Sequence, residues 1–462
     1  MANLFYRPHP DVLGDVNPFF ADGVFRLFYL KPTGGWCQVS TRDFVHFDEH
    51  GPIGIEGGSG CVLEAGGGYH LFYTGYDRDA DAGTYVSKVC HAVSTDLLHW
   101  DLRPEDIFYA DTDIYDPVKW GDPFVFWNDE EQCYWMLVAS RLKSGPSQRR
   151  GCTALCVSTD LIHWQAREPL WAPGLYYKHE VPDLFRLGDW WYMVFSTFTD
   201  RFLTQYRMSR SLDGPWMSPR NNTFDARALY AAKTCSDGQH RYVFGWLAGR
   251  EGERDYANWS WGGNLVVHEV VQEPDGSLSV RIPESVDVAF TQDASTKVAP
   301  ALGPWEVEAD RLSVSVPDSF ACAVAREMPT RCKLSARVTF DDHTRVCGLM
   351  IRVSEDLDEA YYLRLEPYRN RLVFQAGVMY TVDGWCEFPD MVELERPVEL
   401  VPGRPYDLDV YVDDTVCVVY VQNKVAMSAR IYDRREGIWG VFVSEGSAQF
   451  SRLGMRVTEG IP

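Results

Sequence analysis

The sequence predicts an all-β chain, a five-bladed β-propeller over residues 1–297 followed by a jelly-roll-like β-sandwich over residues 305–462. Three observations predict it: a turn that recurs, five apolar runs that recur with it, and a change of pattern near residue 300. Helix signals are scarce throughout.

The turn comes first. Ser94-Thr-Asp-Leu-Leu-His-Trp100 returns as Ser158-Thr-Asp-Leu-Ile-His-Trp164, with a weaker copy at Ser40-Thr-Arg-Asp-Phe-Val-His-Phe47 and a distant one at Ser209-Arg-Ser-Leu-Asp-Gly-Pro-Trp216. The intervals are about one propeller blade in length. A Ser/Thr-Asp turn satisfies local backbone donors, and its closing aromatic can pack between neighbouring sheets. That explains the pattern better than metal ligation by His99 or His163.

Between the turns lie five strand-like runs: Phe25–Tyr29, Tyr69–Tyr73, Tyr134–Val138, Trp191–Phe195 and Tyr242–Trp246. Each follows a turn-forming segment, such as Ala21-Asp-Gly23 or Ser236-Asp-Gly238. Continuous apolar runs fit strands buried on both faces, as in stacked blades. Five runs imply five blades.

After Val298-Ala-Pro-Ala-Leu-Gly-Pro304 the pattern alternates, as in Leu334–Phe340, Tyr406–Val412 and Val416–Val421. Short strands with one polar face read as a sandwich. It is expected to pack on the propeller or to mediate homo-oligomerisation.

Composition narrows the class of function. A chain of 462 residues favours two domains, and its net charge of −22 opposes binding to nucleic acid or to anionic membranes. No window is apolar for long enough to span a bilayer, and the N-terminus lacks a basic start and apolar core. The twelve cysteines are therefore expected to be reduced thiols in a cytoplasm. Cys152 and Cys156 are the closest pair, and no zinc-ligand spacing accompanies them. No metal and no cofactor is expected.

The chemistry is read from what precedes each run. Asp15, Asp122 and Glu180 lie twelve to fourteen residues before Leu27, Met136 and Met193. The first strand of each propeller blade lines the central channel, so these carboxylates converge although they are distant in sequence. Blade two places Gly58-Ser59-Gly60 there, and blade five Ala228-Leu-Tyr230. Carboxylates crowded in one funnel raise at least one pKa, giving a protonated acid beside ionised partners. Glycoside hydrolysis needs that pairing. Each acid alone reads as a turn cap; three in repeat register read as an active site.

At these residues the chain resembles glycoside hydrolase family 32, the invertases, levanases and inulinases. The blocks are Gly14-Asp15-Val-Asn17-Pro-Phe-Phe20, Gly58-Ser59-Gly-Cys-Val-Leu63, Gly121-Asp122-Pro-Phe-Val-Phe-Trp127, Glu180-Val-Pro-Asp183, Phe224–Ala231 and Trp259 with Trp261-Gly-Gly263. The resemblance implies that Asp15 is the nucleophile, Glu180 the acid/base and Asp122 the transition-state stabiliser. It implies substrate contacts from Asn17, Ser59, Asp183, Tyr230 and Trp259. It also implies retention, with Asp15 and Glu180 roughly 5–5.5 Å apart; more distant pentosidase relatives invert across roughly 6.5–9.5 Å.

Two departures bear on the sugar. Gly121 replaces the Arg that usually precedes the stabiliser, and Val181 replaces the Cys that usually follows the acid/base. Glycine cannot supply a guanidinium fork for fructose hydroxyls. The implied activity is release of terminal furanosides from short oligosaccharides, most of all β-fructofuranosides. The rivals are an arabinofuranosidase or other pentosidase and a propeller that binds carbohydrate without catalysis, with a sugar-to-sugar transferase as a minor third. Trp36, Trp259 and Trp261 serve sugar stacking or blade packing. His179 is expected to make a structural hydrogen bond, and Asp113 and Asp116 to lie in a solvated loop.

Overall fold

A computed structural model describes residues 4–79, 84–294, 297–376 and 394–459. Of the expected domain ranges, residues 1–3, 80–83, 295–296, 377–393 and 460–462 lie outside the described residues. The chain divides into two compact units, Tyr6–Ala248 with Trp261–Leu278, and Met1–Phe5 with Gly249–Ser260 and Ser279–Pro462.

The first unit is the five-bladed propeller. Blade 1 holds strands Gly14–Ala21, Val24–Leu30, Gly35–Thr41 and Phe47–Glu56, antiparallel in chain order. Blade 2 runs from Gly60–Ala65 through Gly68–Asp79, Thr84–Ser94 and Asp101–Leu102, with Phe108–Tyr109 also on its third strand. Blade 3 holds Gly121–Asn128, Cys133–Arg141, Gly151–Ser158 and Gln165–Trp171. Blade 4 has three strands, Glu180–Leu187, Trp190–Thr197 and Leu203–Ser209. Blade 5 holds Leu229–Ser236, Arg241–Arg250, Trp259–Gln272 and Leu278–Arg281.

The apolar runs form second strands because both of their faces are covered. Val194, Phe195, Val243 and Phe244 have no exposed surface, which suits continuous rather than alternating hydrophobicity. First strands of successive blades adjoin one another, and those of blades 1 and 5 meet to complete the circle. Leu13 and Gly263 exchange backbone hydrogen bonds at 3.3 and 2.9 Å, clasping the chain start to blade 5. Phe25, Phe44, Tyr242 and Phe244 pack ring on ring across that seam. Radial repetition of small blades leaves only short, protected sheet edges.

The recurrent turns fasten neighbouring blades. Asp96 Oδ1 accepts from the N–H groups of Leu98 and His99, both at 2.8 Å, and Ser94 Oγ accepts from Leu97 N–H at 2.9 Å. Asp160 and Ser158 repeat the arrangement. Trp100 then meets Phe28 of blade 1 edge-on, and Trp164 meets Phe72 of blade 2. His99 and His163 are exposed and paired with Asp96 and Asp160. Trp36 is fully buried and packs on Tyr73, a blade-packing role.

The second unit is one sheet of thirteen strands that folds over as a nearly closed sandwich. Its hub is the long last strand Ile438–Val457, which pairs with Arg311–Ala325, Arg331–Phe340 and Val346–Val353. Arg331–Phe340 alternates buried and half-buried positions, the mark of a sheet with one covered face. The one α-helix among the described residues is Glu284–Val288.

Candidate active site

The inner strands of four blades share one irregularity. Gly14 pairs with Leu30, Gly121 with Ala139, Glu180 with Ser196 and Tyr230 with Trp246. In each blade the register then slips, because two residues face one on the partner strand. This bulge carries a left-handed residue: Asp15 (φ 43°), Asp122 (φ 53°), Val181 (φ 43°) and Ala231 (φ 48°). Such backbone costs of order 1–3 kcal/mol per residue and re-aims the side chains around it. The carboxylates therefore do not share one repeat position. Asp15 and Asp122 stand on the bulge, whereas Glu180 precedes it by one residue, level with Tyr230.

Glycine makes room at two of these sites. A Cβ on Gly14 would fall 2.4 Å from the Trp261 ring, and one on Gly121 would fall 2.7 Å from Thr74 Oγ1. The same Thr74 hydroxyl accepts from Asp122 N–H at 2.7 Å. The space a side chain would need at position 121 is thus filled by a group that holds the Asp122 backbone.

A chain of contacts joins the three acids. Trp246 Nε1–H donates to Asp15 Oδ1 at 3.3 Å, and its ring lies 5.4 Å from that of Tyr230. Tyr230 O–H donates to Glu180 Oε2 at 2.7 Å. The Lys178 ammonium stands 3.8 Å from Glu180 Oε1 and 3.7 Å from Asp122 Oδ2. Val181 N–H donates to Asp122 Oδ2 at 3.2 Å.

Burial dominates the electrostatics. Burial, then the charges of Asp122 and Glu180, pushes the Asp15 carboxyl up to about 7. Glu180 is raised as well, by burial first, against the opposing pull of Lys178. Burial works to discharge Lys178, yet Asp122 and Glu180 outweigh it and hold the ammonium more firmly protonated than usual. Burial keeps Tyr230 a neutral donor. With Asp15 raised to about 7 and Glu180 raised as well, the ionised fraction of Asp15 can act as nucleophile while Glu180 keeps a proton to donate.

The other expected substrate residues fall in different places. Asn17 is buried; its Nδ2–H donates to the Asp15 carbonyl at 2.6 Å, and its Oδ1 accepts from Ser59 Oγ–H at 3.4 Å. Ser59 is buried, and its carbonyl accepts from the Thr74 hydroxyl. Asp183 is buried, with its carboxyl group accepting from Thr234 N–H at 2.6 Å. That geometry favours a strut between blades 4 and 5. Trp259 lies in Gly249–Ser260, which groups with the C-terminal unit, and its ring is covered by Arg250 at 3.6 Å. His179 is buried, bonded to Thr153 Oγ1 at 3.0 Å and held neutral by burial.

Sequence reasoning did not single out Lys178 or Thr74. The signal for Lys178 was its place two residues before Glu180, since alternate residues of an extended chain share a face. Nothing marked Thr74, whose role depends on a neighbouring blade.

Acids gathered from the inner strands of blades 1, 3 and 4 of a five-bladed ring suit an enzyme of the glycosidase class. The chain belongs to glycosyl hydrolases family 32: the model of that family's N-terminal domain matches residues 6–277. A sucrose-6-phosphate hydrolase of Escherichia coli is 22% identical over 87% of this chain and 81% of its own. One from Vibrio alginolyticus is 25% identical, over 59% of this chain and 61% of its own length. Among solved structures, a sucrose-6-phosphate hydrolase from Lactobacillus gasseri superposes with TM-score 0.74 at 15% identity, covering 100% of this chain and 94% of that one. The Bombyx mori β-fructofuranosidase gives 0.70 at 18% identity, covering 100% and 96%. At such identities the solved structures speak for the fold. No described helix is long and apolar enough to cross a membrane.

Proposed function

We propose that this glycosidase releases terminal β-fructofuranosides from short oligosaccharides by a retaining double displacement. The observation that carries the reading is the unbroken run of contacts from Asp15 through Trp246, Tyr230, Glu180 and Lys178 to Asp122. Asp15 attacks the anomeric carbon while Glu180 gives its proton to the departing oxygen. Asp122 binds sugar hydroxyls and steadies the positive charge that develops on the ring. Glu180, now ionised, takes a proton from water, which displaces Asp15 and restores both acids. The names of the relatives, sucrose-6-phosphate hydrolase and β-fructofuranosidase, support the choice of fructose. The eleven described cysteines are all free thiols, which supports a reducing, cytoplasmic setting.

One observation favours a second reading, a pentofuranosidase. Gly121 brings no guanidinium to the sugar, and Thr74 fills the space beside it. A panel of sucrose, sucrose-6-phosphate, inulin oligomers and nitrophenyl pentofuranosides separates the two. Release of fructose with its anomeric configuration initially retained is the expected result. Turnover of a pentoside with fructosides inert overturns the assignment.

A further inference from the structure

We propose that Lys178 is a working part of this site, holding the Asp122 side chain in place, donating to a sugar hydroxyl beside it, and stabilising Glu180 whenever that residue is ionised. The inference rests on the functional reading above.

Geometry comes first. The ammonium is nearly equidistant from Asp122 Oδ2 and Glu180 Oε1, at 3.7 and 3.8 Å. Both separations exceed hydrogen-bond length, so no donor is locked onto either carboxylate. An ammonium carries three donors, and a hydroxyl that lodges between the acids can take one. A charge in this position attracts both anions without closing the gap in which chemistry takes place.

The backbone holds it there. Gly151 N–H donates to the Tyr176 carbonyl at 2.8 Å. A Cβ on Gly151 would sit 2.8 Å from Lys178 N and 2.9 Å from its Cα, so only glycine allows this approach. On one side of Lys178, the Tyr177 ring is covered by Arg141 at 4.0 Å. On the other, His179 is tied to Thr153. With its side chain only 13% exposed, Lys178 is not a solvated surface charge that happens to lie near an acid.

The charges around it decide the sign of its effect. Asp122, Glu180 and the Tyr76 hydroxyl face Lys178, while Glu180 also faces Tyr230 and Lys119. Asp15 feels Asp122 and Glu180. Within this group Lys178 is the cation that opposes burial most strongly at Glu180. Its removal lets Glu180 keep its proton to higher pH.

The test compares wild type, Lys178→Met and Lys178→Arg by kcat/KM against pH, with sucrose as substrate. Lys178→Met should lose about 10- to 100-fold at neutral pH, the scale of a charge-assisted hydrogen bond. Its alkaline limb should move upward by on the order of one pH unit. Lys178→Arg should keep the limb near its wild-type position and restore part of the rate. Fructose binding, measured by calorimetry, should weaken in the Met variant. An unchanged limb and KM in Lys178→Met would assign the residue to packing alone. If Lys178→Met does not fold, an Arg variant with the limb moved as far as loss of charge predicts overturns the proposal, and a wild-type limb supports it. Wild-type enzyme inert toward every fructoside defeats the underlying reading instead, whatever the variants do.

Discussion

Tyr230 O–H donates to Glu180 Oε2 at 2.7 Å across the seam between blades 4 and 5, while its ring lies flat on Phe202 at 4.2 Å. The stack fixes the ring, and the ring aims the hydroxyl. A phenol that donates to a carboxylate favours its ionised form. Tyr230→Phe keeps the stack and deletes the donor. We expect kcat/KM to fall about tenfold and its alkaline limb to rise by about one pH unit. Thermal unfolding should change little. A profile identical to wild type would remove Tyr230 from the machinery.

Glu180→Gln tests the proton donor itself. The amide fills the same volume and still accepts from Tyr230, but carries no transferable proton. Turnover should drop about 10²- to 10⁴-fold while fructose still binds in calorimetry. Full turnover by this variant would place the donor elsewhere, whereas a wild type without turnover would revive the non-catalytic propeller.

Asp15 links activity to stability. Its carboxyl moves from 3.8 to about 7, chiefly through burial. Between those values the folded chain binds a proton that the unfolded chain does not. The stability this contributes is full below about 3.8 and is lost as pH rises through about 7. Asp15→Asn should therefore abolish turnover yet raise Tm at pH 8, by about 2–4 °C per kcal/mol of relief. At pH 4 the two proteins should unfold together. Scanning calorimetry at both values checks this, and an equal Tm at pH 8 contradicts it.

Gly121 and Thr74 should behave as a coupled pair. Gly121→Ala sets a methyl 2.7 Å from Thr74 Oγ1 and should destabilise by about 1–3 kcal/mol. Thr74→Ala removes the acceptor of Asp122 N–H and carries its own cost of about 1–3 kcal/mol. In the double variant the clash is gone, so urea denaturation should show a coupling of at least about 0.5 kcal/mol. Simple additivity would mean that the two side chains do not meet.

Much of the fold was legible because it repeats. The Ser94 and Ser158 turns are local structures whose hydrogen bonds close within three residues, so their residues stand together in the sequence. The offset of Asp15, Asp122 and Glu180 from their apolar runs led to the same inner strands that the structure assigns them. Their fine register was not legible. Blades 1 and 4 carry the same bulge, so the one-residue difference between Asp15, twelve before Leu27, and Glu180, thirteen before Met193, is a true shift of place that only the strand pairing reveals. Thr74 gained its role from a neighbouring blade, and Lys178 gained half of its role from Asp122 of blade 3.

The order of acids, turns and apolar runs determined the architecture and its chemistry, because short-range hydrogen bonding and burial leave a mark on neighbouring residues. Tertiary structure alone decided which groups share the site, since Thr74 meets Gly121 only when blades 2 and 3 stack, and Trp246 meets Asp15 only when the ring closes. It also decided the protonation of those groups. Desolvation depends on everything that surrounds a carboxyl, and a linear sequence does not carry that information.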